Sequence, residues 1–493
     1  MKLALIILGT PYDAIPPIGL VSIYSYIKKH SEGVDIKIID LNFDGLEKIE
    51  SYQPDIIGVS AMSPFYKRII ALARKIKSIT KAPIILGGTH ITALPKLKGC
   101  FDIGVIGEGE QTMLELCELY QKEGRFEAKD LKKIKGIVFR DEDKLIKTEQ
   151  RELLDLDKLP MMDFLSINKA YFKKQLIRNV NIFAKQGYLL TSRGCPFKCV
   201  FCASSIFWRC IIRFHSAERV VDEIEDQYKV HGSTHFVVWD DLFASNLERL
   251  KKIAELLERK QLLGKISFEC QSRVNVIDEE RVKLLKKIGV KRVVFGFESG
   301  SENYLKYLKK GSATIEQGKN TARLCNKHGL AFGGNLIFGG PGETIEDMEE
   351  SLKFMDFLLE NNVSTIATFI LTPLPSTEIW EIAKSRGKVA DDMDWDILID
   401  SQNAGNPLLL DNDIDIGKFK EIYHRARIKV ASTRKKGIFS IIKNNPIDSA
   451  RFILTNPCYV INSIRKIIKG EHQDAGQSFE RYMELTNEKT SND

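Results

Sequence analysis

The stretch Cys195-Pro-Phe-Lys-Cys199-Val-Phe-Cys202 places three thiols within eight residues, in the pattern C-x3-C-x2-C. Cysteines at this spacing can all point into one loop and bind one iron–sulfur cluster. A four-iron cluster usually takes four cysteine ligands, so a loop with three leaves one iron without a protein thiolate. Since an open metal position is where chemistry occurs, we predict that Cys195, Cys199 and Cys202 are both the metal ligands and the catalytic centre.

Two other uses of these thiols are compatible with the spacing. Zinc would need a fourth ligand, which Cys210 or His215 could supply. A disulfide is disfavoured because nothing in the sequence marks the chain as secreted. The other cysteines lack ligand spacing and are expected to be packed thiols: Cys100, Cys117, Cys210, Cys270, Cys325 and Cys458.

The composition describes an ordinary globular protein. Its 493 residues are 43% hydrophobic and 28% charged, and this length is enough for two or three domains. The amino terminus shows no secretory signal, and no apolar run reaches the roughly 18 residues of a membrane-spanning helix. We therefore expect a cytoplasmic protein whose nine cysteines stay reduced.

Residues 1–122 alternate apolar runs of strand length with helical segments. The predicted strands are Lys2–Leu8, Asp35–Asp40, Ile56–Ser60, Pro83–Leu86 and Ile103–Ile106. Strands that are apolar on both faces and separated by helices predict a parallel, doubly wound, Rossmann-like sheet. In such sheets, ligands bind beyond the carboxyl ends of the strands.

Residues 123–186 have a different character. Two short runs, Ile134–Arg140 and Leu145–Thr148, flank Asp141-Glu142-Asp143 and predict a β-hairpin. We interpret this segment as a linker that contains the hairpin.

Residues 187–400 repeat a strand-then-helix unit six times. The predicted strands are Tyr188–Thr191, His235–Trp239, Ile266–Cys270, Arg292–Phe297, Leu330–Phe338 and Ser364–Leu371. Six units predict a partial (β/α)6 barrel rather than a closed barrel of eight, with the reactive groups at the carboxyl ends of the strands.

The context of the cysteine loop carries a resemblance to a known family. The apolar run Tyr188-Leu189-Leu190 precedes the loop, and the aromatic Phe201 stands just before its last cysteine. The loop resembles that of the radical S-adenosylmethionine (SAM) enzymes, and the sheet before it resembles the cobalamin-binding domain of one subclass. The resemblance implies a [4Fe–4S] cluster in place of zinc, SAM bound at the open iron, cobalamin on the first sheet, and an electron donor such as flavodoxin or ferredoxin.

The resemblance also implies a SAM site at the strand ends of the barrel. Its expected residues are Phe201 and Pro373 beside the adenine, Asp240 and Asp241 at the amino group, Arg273 at the carboxylate, Glu298 and Ser299 at the ribose, and Gly340 beside the methionine part. An arginine suits this role because its guanidinium can meet a carboxylate with two hydrogen bonds.

The strand ends of the first sheet supply the expected cobalamin contacts. These are Thr10, Pro17, Ser60, Gly87, Gly88 and Glu108. Residues 1–122 lack the Asp-x-His-x-x-Gly sequence whose histidine ligates cobalt in many cobalamin domains, and the resemblance implies that the cobalt is then held without a protein imidazole. The alternative is a sheet retained for packing, with the double glycine as a tight turn and His90 as a surface cap.

The implied reaction is reductive cleavage of SAM, followed by radical methylation of an unactivated carbon in a small-molecule or lipid substrate. The same pair of domains in relatives also performs oxidative ring closure, as in the anaerobic cyclase of chlorophyll synthesis. A cluster- or cobalamin-binding sensor without turnover is a further alternative.

The carboxyl-terminal region, residues 401–493, is expected to be helical and basic. Between Lys418 and Lys469 it holds thirteen Lys or Arg against two acids. A basic amphipathic helix can pack over a barrel with its charges outward or contact an anionic membrane, which would suit a lipid substrate. Nucleic acid is not expected as a partner, because no RNA-binding module is evident.

Overall fold

The apolar runs of the first third of the chain form a sheet in the computed structural model, which describes residues 1–8, 16–177, 182–400, 407–411 and 414–444. The chain divides into two compact units. Unit 1 contains Met1–Tyr171 and Asp391–Ile397. Unit 2 contains Phe172–Ala390 and, among the described residues, the chain from Leu398 onward.

Unit 1 is built on a seven-stranded sheet with the order β2-β1-β3-β4-β5-β6-β7. Its strands are β1 (Lys2–Ile7), β2 (Asp35–Asp40), β3 (Ile56–Ser60), β4 (Ile84–Gly87), β5 (Ile103–Val105), β6 (Ile137–Asp141) and β7 (Lys144–Lys147). Its helices are α1 (Ile18–His30), α2 (Glu47–Tyr52), α3 (Tyr66–Ile79), α4 (Thr89–Ala93), α5 (Glu110–Glu123) and α6 (Ala128–Leu131).

The five strands β1 to β5 are parallel. In β1 the successive residues Leu3, Ala4 and Leu5 are all buried. A strand covered on both faces needs an uninterrupted apolar run rather than alternation, which is why this pattern predicts the sheet. The predicted doubly wound parallel fold is confirmed.

The hairpin continues this sheet. β6 pairs antiparallel with β5 and β7 pairs antiparallel with β6. Ile137, Val138 and Phe139 are all buried. β6 is therefore covered on both faces at its position beside β5. The segment assigned to a linker from the sequence thus contributes two strands to unit 1.

Unit 2 is built on a second sheet with the order β16-β15-β14-β13-β12-β9-β8. The strands of this unit are β8 (Lys174–Ile177), β9 (Ile182–Leu189), β10 (Ser192–Arg193), β11 (Arg213–Phe214), β12 (His235–Val238), β13 (Ser267–Ser272), β14 (Val290–Glu298), β15 (Ala331–Phe338) and β16 (Thr365–Ile370). Its helices are α7 (Ser204–Phe207), α8 (Ala217–Val230), α9 (Leu247–Arg259), α10 (Glu279–Lys287), α11 (Glu302–Leu308), α12 (Ile315–His328), α13 (Ile345–Glu360), α14 (Glu378–Ser385) and α16 (Ile416–Asn444), while α15 (Ile397–Asp400) begins at the last residue of unit 1.

Six strands of this sheet, β9 and β12 to β16, are parallel. They form the predicted partial barrel, which is confirmed, and β8 adds an antiparallel edge strand. β10 and β11 form a separate two-stranded ribbon on either side of the cysteine loop. Parallel strands end at one edge, so the loops that follow β9 and β12 to β16 emerge together there.

Side-chain caps fix where the barrel helices begin. Each cap accepts a hydrogen bond from a backbone N–H of the first helical turn, which leaves fewer unpaired donors: Ser216, Asn246, Asp278, Ser301, Thr314, Thr344 and Thr377. Thr344 and Asp347 form a reciprocal capping box at the start of α13. The site loops therefore have defined carboxyl-terminal ends.

The basic helix α16 packs along β16 and α13. Its buried residues recur at helical spacing: Phe419, Ile422, Tyr423, Ala426 and Val430. Outside this stripe, Arg425 pairs with Glu349 and Lys429 pairs with Asp356. Residues 416–433 of the basic region therefore pack on the barrel with Arg425 and Lys429 outside the buried stripe, and residues 445–493 lie outside the described residues. None of the described helices has the length and apolar character needed to cross a bilayer.

Replacing Phe419 by alanine should destabilise unit 2, since the side chain is 0% exposed and lies against Gly339. We expect a loss of about 3–5 kcal/mol in the free energy of unfolding, measured by urea unfolding of the full chain. Ile428→Ala is the matched control on the same helix: its side chain is 57% exposed, so a change within about 0.5 kcal/mol is expected. Equal effects of the two substitutions would contradict the packing of α16.

Candidate active site

The cluster loop, residues 195–202, follows β9 and β10 at the carboxyl edge of the barrel. It is entered through Gly194, whose φ is 99° and where a Cβ atom would lie 2.0 Å from the carbonyl oxygen of Ile211. Only glycine fits such a turn. Further along, the Val200 N–H donates to the Leu308 carbonyl (3.0 Å), and the Val200 carbonyl accepts from the Ile379 N–H (3.3 Å). The backbone of the loop is thus tied to the end of α11 and the start of α14.

The three thiols sit in a poorly solvated environment. Cys199 is buried, and Cys195 and Cys202 are half-buried. Burial raises the pKa of Cys195 and raises the pKa of Cys202 to about 12, with a smaller contribution from the neighbouring thiols. Without a metal the Cys195 and Cys202 thiols would be protonated at neutral pH, and a metal centre is what would hold them as thiolates. Three sulfur donors on one loop fit an iron–sulfur cluster.

The described residues contain no group of three or more His, Cys, Asp or Glu side chains gathered around one ion position. A four-iron cluster presents separate iron atoms to its cysteines. Of the fourth zinc ligands considered from the sequence, Cys210 directs its sulfur toward the Ser205 carbonyl (3.7 Å). The other, His215, is buried.

Asp240 anchors the start of the cluster loop. Its carboxylate is 0% exposed and accepts hydrogen bonds from the Thr191 N–H (2.6 Å), the Thr191 hydroxyl (2.5 Å) and the Ser192 hydroxyl (2.6 Å). Burial raises the pKa of Asp240, while the nearby Arg249 and these hydrogen bonds lower it. Arg249 also donates to the Thr191 carbonyl (2.7 Å). Asp240 thus links the end of β12 to the segment between β9 and β10, and its predicted contact with SAM stays a prediction.

Asp241, the next residue, opens to solvent. Its carboxylate accepts a hydrogen bond from Ser204 (2.7 Å) and lies close enough to Cys195 and Cys202 to affect the ionisation of both thiols. Partial desolvation raises its pKa, and the bond from Ser204 lowers it. Of the two carboxylates, Asp241 is the accessible one.

Arg273 lies against the cluster loop. Its Nη1 donates to Cys199 Sγ at 2.9 Å, Nη2 to the Ser312 hydroxyl at 2.7 Å, and Nε to Asn275 Oδ1 at 3.2 Å. Its guanidinium also stands over the Phe197 ring, 3.9 Å from the centroid. These contacts occupy three of the five N–H donors of the side chain.

Glu298 adopts a strained backbone conformation at the end of β14. Its φ is 68°, which a residue with a side chain rarely adopts, and it sits at an irregularity in the pairing of β14 with β15. The carboxylate forms an ion pair with the buried Lys309 (3.2 Å), whose ammonium also donates to the Gly296 carbonyl (2.6 Å). Backbone strain held in place by a buried ion pair is typical of functional sites.

The remaining predicted SAM contacts differ in accessibility. Ser299 is fully buried, and its hydroxyl contacts the Ser351 hydroxyl (3.2 Å) and accepts from the Ser301 N–H (3.1 Å), so it supports the loop before α11. Phe201 is half-buried and Pro373 is buried. A Cβ atom at Gly340 would lie 1.9 Å from the Tyr304 hydroxyl, which explains the glycine.

The predicted cobalamin contacts lie in unit 1 after strands β1, β3, β4 and β5. Ser60 is exposed at the end of β3, and a Cβ atom at Gly88, where φ is 98°, would lie 2.7 Å from the Ser60 hydroxyl and 2.5 Å from the Ala61 carbonyl oxygen. Ser60 and the Gly87-Gly88 pair therefore come together. Pro17 precedes α1, and Glu108 is buried with Oε2 accepting from the Leu154 N–H (3.0 Å). Thr10 lies outside the described residues.

His90 is buried, so its description as a surface cap is wrong. Its ring stacks on Tyr66 with a centroid distance of 3.6 Å, meets Trp395 edge-on at 4.6 Å, and approaches the Ser63 hydroxyl through Nδ1 (3.1 Å). Burial lowers the pKa of His90 to about 3, which leaves the imidazole neutral. This histidine is a packing group of unit 1.

Several residues of the site carry no signal in the sequence. Lys309 and Ser312 follow α11 in a stretch that reads as exposed, yet Lys309 is 2% exposed. Ser204 and Tyr304 likewise acquire their roles only through distant partners. Glu343, in the Gly-rich turn after β15, is buried and accepts from the Gly339 N–H (2.5 Å).

Glu343→Gln should flatten the pH dependence of stability. Burial raises the pKa of Glu343 to about 8, with the backbone amides of Gly339 and Gly340 partly offsetting it. The folded chain keeps this proton and the unfolded chain releases it above about 4.5, so wild-type stability falls as pH rises from about 4.5 to 8, by at most about 1.4 kcal/mol per pH unit. Urea unfolding at pH 5.5, 6.5 and 7.5 measures the slope.

Glu127→Gln is the control for this experiment. Its neighbours Lys129 and Arg125 lower the pKa of Glu127 below the ordinary value, outside the measured range, so its slope should equal that of the wild type. A slope unchanged by Glu343→Gln would mean that the buried carboxyl is already ionised at pH 5.5.

Comparison with known proteins agrees with this geometry. A family model described as the radical SAM superfamily matches residues 189–355, and a model described as the B12 binding domain matches residues 4–117. The first range contains the cluster loop, and the second contains β2 to β5 and most of β1.

Two relatives cover most of the chain. An uncharacterized methyltransferase, PH0819 of Pyrococcus horikoshii, is 32% identical over 380 residues, which are 75% of this chain and 78% of the relative. The anaerobic magnesium-protoporphyrin IX monomethyl ester cyclase of Rubrivivax gelatinosus is 30% identical over 404 residues, 78% of this chain and 67% of the relative.

A solved structure shares the fold. The cobalamin-dependent SAM radical enzyme OxsB, with aqua-cobalamin and SAM bound, superposes with a TM-score of 0.66 at 18% identity over 99% of this chain and 84% of that chain. The predicted cofactors, a [4Fe–4S] cluster, SAM and cobalamin, are confirmed by the family models. The chain therefore belongs to the cobalamin-dependent radical SAM enzymes.

Proposed function

We propose that this enzyme transfers a methyl group from SAM to an unactivated carbon of a small-molecule or lipid substrate. The observation that carries the proposal is the cluster loop, with three thiols flanked by the accessible Asp241 and by Arg273 at the edge of the barrel. The methyltransferase relative supports the transferred group. When bound, the cluster and SAM supply hydrogen-abstracting radical chemistry, and cobalamin supplies methyl-transfer chemistry.

The residues of unit 2 would bind and orient SAM. The Asp241 carboxylate can accept hydrogen bonds from the SAM ammonium group, because it is accessible and borders the thiols. The Glu298 carboxylate, oriented by Lys309, can accept from a ribose hydroxyl. The half-buried Phe201 offers apolar surface to the adenine, with the buried Pro373 as the second proposed contact, and Ser299 supports the loop before α11.

The sheet edge of unit 1 would hold cobalamin. Ser60 offers an exposed hydroxyl there, and Gly87 and Gly88 let the backbone approach a ligand closely. Pro17, Thr10 and Glu108 complete the proposed set. Each reductive cleavage consumes one electron, for which a flavodoxin or ferredoxin is the proposed donor, and the proposed compartment is the cytoplasm. Contact of the basic carboxyl-terminal region with a membrane stays a prediction.

Oxidative ring closure is the second candidate function, and the cyclase relative favours it. The two reactions differ in how SAM is used. Methyl transfer needs one SAM as the methyl source, which leaves S-adenosylhomocysteine, and a second as the radical source, which leaves 5′-deoxyadenosine. Ring closure needs the radical source alone.

Product analysis tests the proposal. Anaerobically reconstituted protein, incubated with cobalamin, SAM labelled with a deuterated methyl group and dithionite, should form 5′-deoxyadenosine and about one S-adenosylhomocysteine per bound cobalamin, measured by mass spectrometry. Cys199→Ala should abolish 5′-deoxyadenosine because it removes a buried cluster ligand. 5′-Deoxyadenosine without S-adenosylhomocysteine would favour the cyclase, and absence of both from the wild type would favour a sensor.

The two adjacent aspartates should separate SAM binding from cluster retention. Asp241→Ala is expected to weaken SAM binding by about tenfold, the loss of one charge-assisted hydrogen bond, while leaving the iron content unchanged. Asp240→Ala should lower the iron content, because it leaves the Thr191 and Ser192 donors at the start of the loop without their acceptor. Iron analysis and equilibrium dialysis with labelled SAM measure the two quantities. Equal loss of iron in both variants would refute the different roles.

A further inference from the structure

The contact between Arg273 and Cys199 places a positively charged guanidinium beside a predicted cluster ligand. The Nη1–Sγ distance is 2.9 Å, and the two side chains belong to residues that are 7% and 8% exposed. The guanidinium and the buried sulfur therefore interact in a medium where water screens the charge poorly.

The Arg273 guanidinium is oriented by a ring on one face and by hydrogen bonds along its edge. The Phe197 ring, itself part of the cluster loop, covers one face at 3.9 Å. Ser312 accepts from Nη2 (2.7 Å), and the Ser312 hydroxyl in turn donates to the Lys309 carbonyl (2.5 Å). Asn275 accepts from Nε (3.2 Å). Arg273 therefore reaches Cys199 in a preorganised geometry rather than as a mobile surface cation.

Hydrogen bonds to cluster sulfurs, net charge and solvent exposure set the reduction potential of an iron–sulfur cluster. One-electron reduction adds one negative charge to the cluster, with the electron coming from an external donor and no bond made or broken. A guanidinium that donates to a ligand sulfur stabilises the more negative state, and so raises the potential.

We infer that Arg273 is a positioning residue of the cluster, which raises its reduction potential through the hydrogen bond to Cys199. This role differs from the SAM-carboxylate contact expected from the sequence. The inference rests on the cluster that the proposed function requires. It assigns to Arg273 the role of making reduction of that cluster by a physiological donor easier.

Redox titration of the reconstituted full-length protein tests the inference. Iron and sulfide content and the electron paramagnetic resonance signal of the reduced protein first establish the cluster. The midpoint potential is then measured in a mediated dithionite titration without SAM. Arg273→Gln should make reduction about tenfold less favourable, a shift of about 59 mV to more negative potential for one electron.

Two further variants keep the test decisive if Arg273→Gln loses its cluster. Arg273→Lys retains the charge but not the planar fork, so a smaller negative shift is expected. Ser312→Ala removes the acceptor that orients Nη2 and should also shift the potential negatively. Arg323→Gln is the matched control: this arginine also stands over a phenylalanine, Phe357, but is half exposed and paired with Glu316, and it should leave the potential unchanged.

SAM binding, measured by equilibrium dialysis on the same samples, separates the two roles of Arg273. A potential shifted to more negative values supports the inference, and a shift to more positive values would overturn it. An unchanged potential with weaker SAM binding would overturn it in favour of the carboxylate contact, and an unchanged potential with unchanged binding would overturn both. Absence of a cluster signal from wild-type protein would instead count against the proposed function.

Discussion

The architecture of unit 2 depends on one buried carboxylate. Asp240, fully enclosed at the end of β12, accepts three hydrogen bonds from Thr191 and Ser192 at the point where the chain leaves β9. A buried charge is tolerated only when hydrogen bonds and a counter-charge compensate its desolvation, and Arg249 supplies that charge. The pairing holds the first and second parallel strands of the barrel in register, and with them the entry to the cluster loop.

A network of polar side chains also supports the cluster loop. It runs from Cys199 to Arg273, then through Ser312 to Lys309, and ends at Glu298. Each residue supplies a hydrogen-bond or ion-pair partner for the next, as buried polar groups require. Through these contacts the most buried of the three loop thiols, Cys199, and the strained residue Glu298 belong to one network. The strain at Glu298 is therefore maintained by contacts that also position the cluster loop.

The two units differ in how they prepare a site. Unit 2 uses buried charges and caps, which give rigid side-chain positions. Unit 1 uses backbone: Gly88 has a left-handed conformation and leaves no room for a side chain between Ser60 and Ala61. An edge formed by glycine and the Ser60 hydroxyl suits a large cofactor with many weak contacts, whereas the proposed SAM site offers a few charged groups.

Local pattern alone determined the parallel strands of both sheets, the hairpin and the cluster loop, but not the short strands β8, β10 and β11. Apolar runs indicate a parallel strand that is buried on both faces, and cap residues indicate where a helix begins. The three cysteines lie within eight residues. Each of these patterns is local, so it can be recognised without knowledge of distant parts of the chain. The sequence did not show that the hairpin extends the first sheet, because the pairing of β6 depends on its neighbour in space, β5.

Only the tertiary structure decided which polar side chain serves which partner. Asp240 and Asp241 are adjacent in sequence and chemically identical, yet one is bonded to Thr191, 49 residues away, and the other opens to solvent. Arg273 meets Cys199 across 74 residues, and Lys309 is buried although it begins the polar run Lys309-Lys310-Gly311-Ser312. The physical reason is that such pairings follow from strand register and from the cost of leaving a buried charge unpaired, and both arise only when the whole chain is packed.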